Sequence, residues 1–147
     1  RRVTERVEAQ FMMHIVAAQV TLDIPAPQIP AVVLKINNRG WIRSNGLCCQ
    51  APRKLGEQWA DLCAMVEQDT TLRTALTTLN FRCCELRGTE NGWQILIESF
   101  GGSEVVNKLP SFRRYIRLGQ EQSDSLVLAL LSLKRILSRF NDETQKK

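Results

Sequence analysis

Histidine and tyrosine are nearly missing from these 147 residues, which hold one of each, His14 and Tyr115. His14 lies in an apolar stretch and reads as a packed or surface side chain rather than a catalytic one. The cysteines do not stand at the spacings of about two to four residues that zinc sites use. A Gly-x-Ser-x-Gly elbow, a Walker-type loop and a dinucleotide fingerprint are all lacking. Gly101-Gly102 before Ser103-Glu104 imitates a phosphate loop, but no helix and lysine follow where one needs them, so a bend between strands is expected. No metal and no cofactor is expected from this inventory. Apolar runs of the roughly 18 residues that cross a bilayer as a helix are absent too. The sequence opens on Arg1, which is compatible with a removed leader.

Acidic residues are missing from two long windows. None occurs between Asp23 and Glu57, where Lys35, Arg39, Arg43, Arg53 and Lys54 stand, and none between Glu104 and Glu121, where Lys108, Arg113, Arg114 and Arg117 stand. Those nine cations against a net charge of +5 leave −4 for the remainder (5 − 9). Segregation of this kind favours an anionic partner. Five cysteines, as Cys48-Cys49, Cys63 and Cys83-Cys84, are an odd and poorly spaced set for a disulfide framework. Reduced thiols packed as small apolar groups are the expectation, and with them a cytoplasmic location.

What is present reads as one α+β domain over 1–147: an antiparallel sheet built from hairpins, with helices packed on one face. The organising stretch is 81–118. Phe81–Arg87 and Trp93–Glu98 read as strands around Gly88-Thr89-Glu90-Asn91-Gly92, and parity puts Cys84, Leu86, Trp93, Ile95 and Ile97 on one face. A two-residue Asn91-Gly92 loop would set Glu85 against Glu98, so a four-residue loop is favoured. Extended chain through Val105-Val106 and then Phe112–Leu118 would complete a meander of three or four strands. Upstream, Val3, Val7, Phe11, His14, Ile15 and Ala18 fit a helical face that gives way to a strand near residue 19, although Phe11–Leu22 also fits a strand. Ala31–Ile36 reads as a strand returning through Trp41–Ser44. A helix from Pro52 carries Leu55, Trp59, Leu62, Cys63 and Val66; another, capped by Asp69, carries Leu72, Ala75, Leu76 and Leu79 and ends by Asn80. Ser123–Phe140 forms the last helix, with Asn141–Lys147 fraying.

Among candidate sites, Arg113, Tyr115 and Arg117 share one strand face by alternation, and an Arg-Tyr-Arg stripe can hold phosphates and stack a base. Arg39 and Arg43 in the first acid-free window extend this candidate surface for anions or nucleic acid. The competing reading is a solvated face on which Tyr115 covers the arginine stems. Arg114, of opposite parity, would need a buried carboxylate or an exit at the sheet edge. An acid/base group of Glu85, Glu98 and Glu104 with Cys83 nearby is outweighed by the reading of solvated surface carboxylates.

Ser103-Glu104-Val105-Val106, through Leu109-Pro110 to Arg113-Arg114-Tyr115, resembles a family of small uncharacterised proteobacterial proteins. The resemblance covers the C-terminal third and implies no activity. The residues therefore carry the reading: a non-enzymatic binding or regulatory domain of unknown partner that self-associates, with a nucleic-acid-binding module as the alternative. Surplus apolar surface on the helix at 126–140 motivates the self-association, as a homo-oligomer.

Overall fold

One strand, β6 (Gly92–Ser99), has seven of its eight residues buried, Gln94 alone being half-buried, so it must be covered on both faces and both edges. The computed structural model describes residues 2–10, 13–39, 46–55, 57–99, 104–108, 111–115 and 117–146, with 2, 4–10, 13–18, 104–108 and 111–115 described by strand and register alone. Around β6 are β1 (Arg2–Gln10), β2 (Met13–Pro25), β3 (Val32–Asn38), β4 (Leu47–Gln50), β5 (Phe81–Thr89), β7 (Glu104–Lys108) and β8 (Ser111–Tyr115). The helices are α1 (Ala60–Gln68), α2 (Thr70–Leu79) and α3 (Gln120–Gln145). All pairings are antiparallel, in the order β4-β3-β5-β6-β2-β7-β8 with β1 also on β2. Since residues 19–21 of β2 pair with both β1 and β6, and 13–16 with both β1 and β7, β6 and β7 follow one another along the same edge of β2.

The fold is α+β with the helices on one sheet face, as the sequence suggests. That face carries Trp93, Ile95, Ile97, Cys84, Leu86, Leu34, Ile36, Val20 and Ile24, all buried. Against it pack Leu62 and Val66 of α1, Leu72, Leu76 and Leu79 of α2, and Leu126, Leu130, Leu133 and Leu137 of α3. The Asp69 cap is present: its Oδ1 accepts the Leu72 N–H at 2.7 Å, while Oδ2 meets Arg135 Nη2 at 2.8 Å and so ties α2 to α3. Asn80, at φ 52°, ends α2 in the left-handed region that asparagine tolerates.

Several elements depart from expectation for identifiable reasons. Residues 2–10 and 13–20 are strand, not helix: the register sets Val3 against Val20 and Val7 against Val16, and pairing overrides the helical preference of Glu, Ala, Gln and Met. The 81–118 region is two hairpins instead of a meander, because β7 pairs with β2 and β8 rather than with β6. The β5–β6 loop is the two residues Glu90-Asn91, closed by a Thr89–Gly92 pair, rather than four. Its register still keeps the like charges apart, with Glu85 against Leu96 and Glu98 against Cys83. The strand returning beside β3 is β4; Trp41–Ser44 and Gly101-Gly102 lie outside the described residues. After Pro52 come two short 3₁₀ turns, with the α-helix starting only at Ala60; Leu55 is exposed and offers no burial to extend it. α3 starts at Gln120 and runs on through 141–145 instead of fraying, since Asn141 accepts the Trp93 indole N–H at 3.2 Å and Arg139 pairs with Glu143 at 2.8 Å one turn on.

Gly88 positions the segment that follows β2. A Cβ there would collide with the Pro30 carbonyl oxygen and would come within 2.8 Å of Ile29 Cγ2, so only glycine lets Ile29 and Pro30 close over β5. Gly88→Ala should destabilise by about 1–3 kcal/mol through forced displacement of residues 29–30. Urea denaturation would read this as a lowered midpoint with an unchanged slope.

Candidate functional site

A cleft of about 410 Å³ opens between that segment, the entrance to α1 and the C-terminal turns of α3. Pro27, Ile29 and Pro30 form one wall, and Trp59 and Phe140 supply the aromatic surface. Trp59 is buried at the junction of the second 3₁₀ turn with α1. Its ring stands edge-on to Trp93, centroids 5.5 Å apart at 82°, and tilts over Phe140 at 6.0 Å. These contacts fix both rings against the sheet. Trp59 Nε1 is buried without an acceptor among the described residues.

The cleft lining includes one carboxylate, Asp61, and neutral hydrogen-bonding side chains at Gln28, Gln58, Asn141, Thr144 and Gln145, with no Lys, Arg, His or Cys among the described residues. The Thr144 hydroxyl donates to the Phe140 carbonyl at 2.8 Å. Among the described lining residues no base stands beside a nucleophile. Sequence reasoning missed this site. The closely spaced Pro25, Pro27 and Pro30 carry only a preference for extended chain, and Trp59 falls on the apolar face of the helix expected from Pro52.

The sheet face opposite the helices holds the carboxylates expected to be solvated. Glu98 is 1% exposed and instead belongs to a buried network. Gln19 Nε2 donates to its Oε2 at 2.8 Å, and Arg82 Nε lies 3.7 Å from its Oε1. A register shift between Phe81 and Cys83 makes this possible: the extra residue brings Arg82 beside Glu98 while Phe81 and Cys84 both stay in the core. Glu85 is also largely covered and takes Arg87 Nη2 at 2.7 Å, with Cys83 Sγ donating at 3.7 Å. Glu98 thus ties β6 to β2 and β5, whereas Glu85 is engaged along its own strand. Glu104 and His14 are placed in β7 and β2, with their side chains outside the described set.

Of the expected anion-binding residues, Arg113 and Tyr115 lie in β8, paired by register with Val106 and Glu104; nothing further is described for their side chains or that of Arg114. Arg43 lies outside the described residues, while Arg39 and Arg117 are exposed. Arg39 directly follows β3, whose Ile36 pairs with Cys84 near the start of β5. No group of three or more His, Cys, Asp or Glu suited to a metal ion occurs among the described residues. No described helix is long and apolar enough to cross a membrane.

On α3 the surplus apolar surface expected from the sequence is present: Val127, Leu128 and Leu131 are 44%, 46% and 59% exposed. They form one stripe, preceded by Glu121 and Asp124 and followed by Lys134 and Arg135.

No curated protein and no solved structure matches the chain. The family resemblance expected over the C-terminal third is wider than that, since it runs from β1 through the 27–30 segment, α1 and α2 into α3. The chain belongs to the family described as protein of unknown function DUF3156, whose model matches residues 2–137.

Proposed function

We propose that this protein is a non-enzymatic binding domain whose ligand site is the cleft walled by Pro27, Ile29 and Pro30 and floored by Trp59 and Phe140. The single observation behind this reading is the lining: fixed aromatic faces, neutral amides and one carboxylate, with no cation and no acid–base pair among the described residues. Its volume falls in the range of roughly 300–1,000 Å³ typical of small-molecule sites. That chemistry suits a neutral or cationic ligand with a flat or apolar body, held by stacking or cation–π contact and oriented by Asp61. Aromatic amines should therefore raise the melting temperature and quench tryptophan fluorescence, while benzoate-like anions should not. Phe140→Ala should weaken binding by about tenfold, equivalent to an aromatic contact of about 1.4 kcal/mol. Asp61→Asn should remove the preference for cations and keep that for neutral ligands. Absence of any shift with millimolar aromatic probes of either charge would sink the reading.

Self-association belongs to the same proposal and rests on the α3 stripe. A two-fold antiparallel pairing that sets Val127 against Leu131 of a second copy also sets Asp124 against that copy's Lys134, so the pattern is complementary to itself in charge and in apolar surface. Sedimentation equilibrium should show a dimer that Leu131→Glu converts to monomer without changing the melting temperature of the dilute protein. A wild-type chain that stays monomeric at high micromolar concentration would remove this part.

The alternative is nucleic-acid binding through Arg39, Arg43, Arg113, Tyr115 and Arg117. The exposed guanidinium groups of Arg39 and Arg117 and the two acid-free windows support it. Under this reading, anisotropy with short labelled RNA or DNA gives an affinity that falls steeply with salt. Arg39→Gln with Arg117→Gln should then reduce the log–log slope by about two. No binding at low salt eliminates the alternative.

A further inference from the structure

Cys49 lies on the core side of β4 and Cys63 lies in α1, and their sulfurs are 2.7 Å apart. Unbonded heavy atoms pack at about 3.5–4.0 Å, whereas bonded sulfurs sit about 2.05 Å apart. The approach is therefore far closer than two thiols need for filling a core, and joining them needs a closure of only roughly 0.7 Å. We propose that Cys49 and Cys63 are a disulfide-forming pair, oxidised by a low-molecular-weight disulfide, that ties the edge strand β4 to α1.

The surroundings favour one direction of attack. Cys63 is half-buried and reachable, while Cys49 is buried behind it. The hydrogen bond between the two thiols holds Cys63 below its ordinary range and pushes Cys49 well above it. The Glu67 carboxylate, which accepts the Cys49 backbone N–H at 2.8 Å, fixes the strand beside the helix. Cys63 thiolate attacks oxidised glutathione, breaking its S–S bond, releasing one glutathione thiolate and leaving a mixed disulfide on Cys63. Cys49 then gives up its proton to solvent and attacks Cys63 Sγ, expelling the second glutathione. Two protein thiols and one glutathione disulfide become one protein disulfide and two glutathione thiols, with two electrons passing to glutathione. Neither adjacent pair competes, because successive residues of a strand face opposite sides of the sheet; Cys48 is set against Asn37, and Cys83 against Glu98. The bond would close over residues 50–62, the segment that delivers Trp59 to the cleft floor.

The test is oxidation of the full chain with oxidised glutathione, followed by thiol titration and peptide mapping after trypsin. The expected result is loss of two of the five thiols, together with joined peptides 44–53 and 55–73. The joined peptides should persist in Cys48→Ser and vanish in Cys49→Ser and in Cys63→Ser. The oxidised wild type should melt about 10 °C higher than the reduced form, as a cross-link over a short loop does. Joined peptides that vanish in Cys48→Ser, a glutathione adduct that stays on Cys63, or retention of all five thiols would each overturn the proposal. Circular dichroism of the serine variants confirms that a missing bond is not a missing fold.

Discussion

The structure depends on the burial of one indole. Trp93 is the second residue of β6, just after the hairpin turn, and is 1% exposed. Its ring abuts Trp59 at the mouth of α1 and its N–H ends on Asn141 near the end of α3. Sheet, first helix and last helix therefore converge on a single side chain whose one polar atom is satisfied. A buried tryptophan without that acceptor would cost about 1–3 kcal/mol, so α3 must extend past Phe140 to supply it. Phe140 and Asn141 then border the cleft, which exists because the helix is that long and the 27–30 segment is held down over Gly88.

Much of this was legible where periodicity and chemistry agreed. The face of β5 and β6, the Asp69 cap, the α2 stripe and the exposed apolar surface of α3 all follow from spacing along the chain. Illegible parts are those decided by distant partners. Residues 2–10 have helical propensity but lie against β2, and β7 leaves β6 to pair further along that same strand. The hairpin was missed by its loop length alone; the argument that Glu85 and Glu98 should not be opposed correctly disfavoured the Asn91-Gly92 register.

Glu98 shows why the sites were harder to read than the fold. Alternation put it on the face away from Trp93, and a carboxylate there is ordinarily wet. The bulge at Arg82 changes the outcome by delivering a guanidinium and, with Gln19 from β2, completing a buried network. A one-residue irregularity of this kind leaves no trace in periodicity. The cleft likewise assembles residues near 28, 59 and 141, and no local pattern marks them as neighbours. Cys49 and Cys63 look like core fillers in the text of the sequence, and only the fold sets one against the other.

The pairing of β2 with β6 also has a consequence for the nascent chain. Gln19 meets Glu98 across 79 residues, so the β1–β2 hairpin is synthesised long before the strand that covers its second edge. Val20, Leu22 and Ile24 must stay in water, or against transient partners, while about four seconds or more of translation pass at about 5–20 residues per second. The helices α1 and α2 emerge in that interval and can fold on each other, but the sheet they cover is incomplete until β6 arrives. Closure of the sheet is thus a late, long-range event that sets the pace of folding, and the N-terminal hairpin is the part of the chain most exposed to wrong strand pairing on the ribosome.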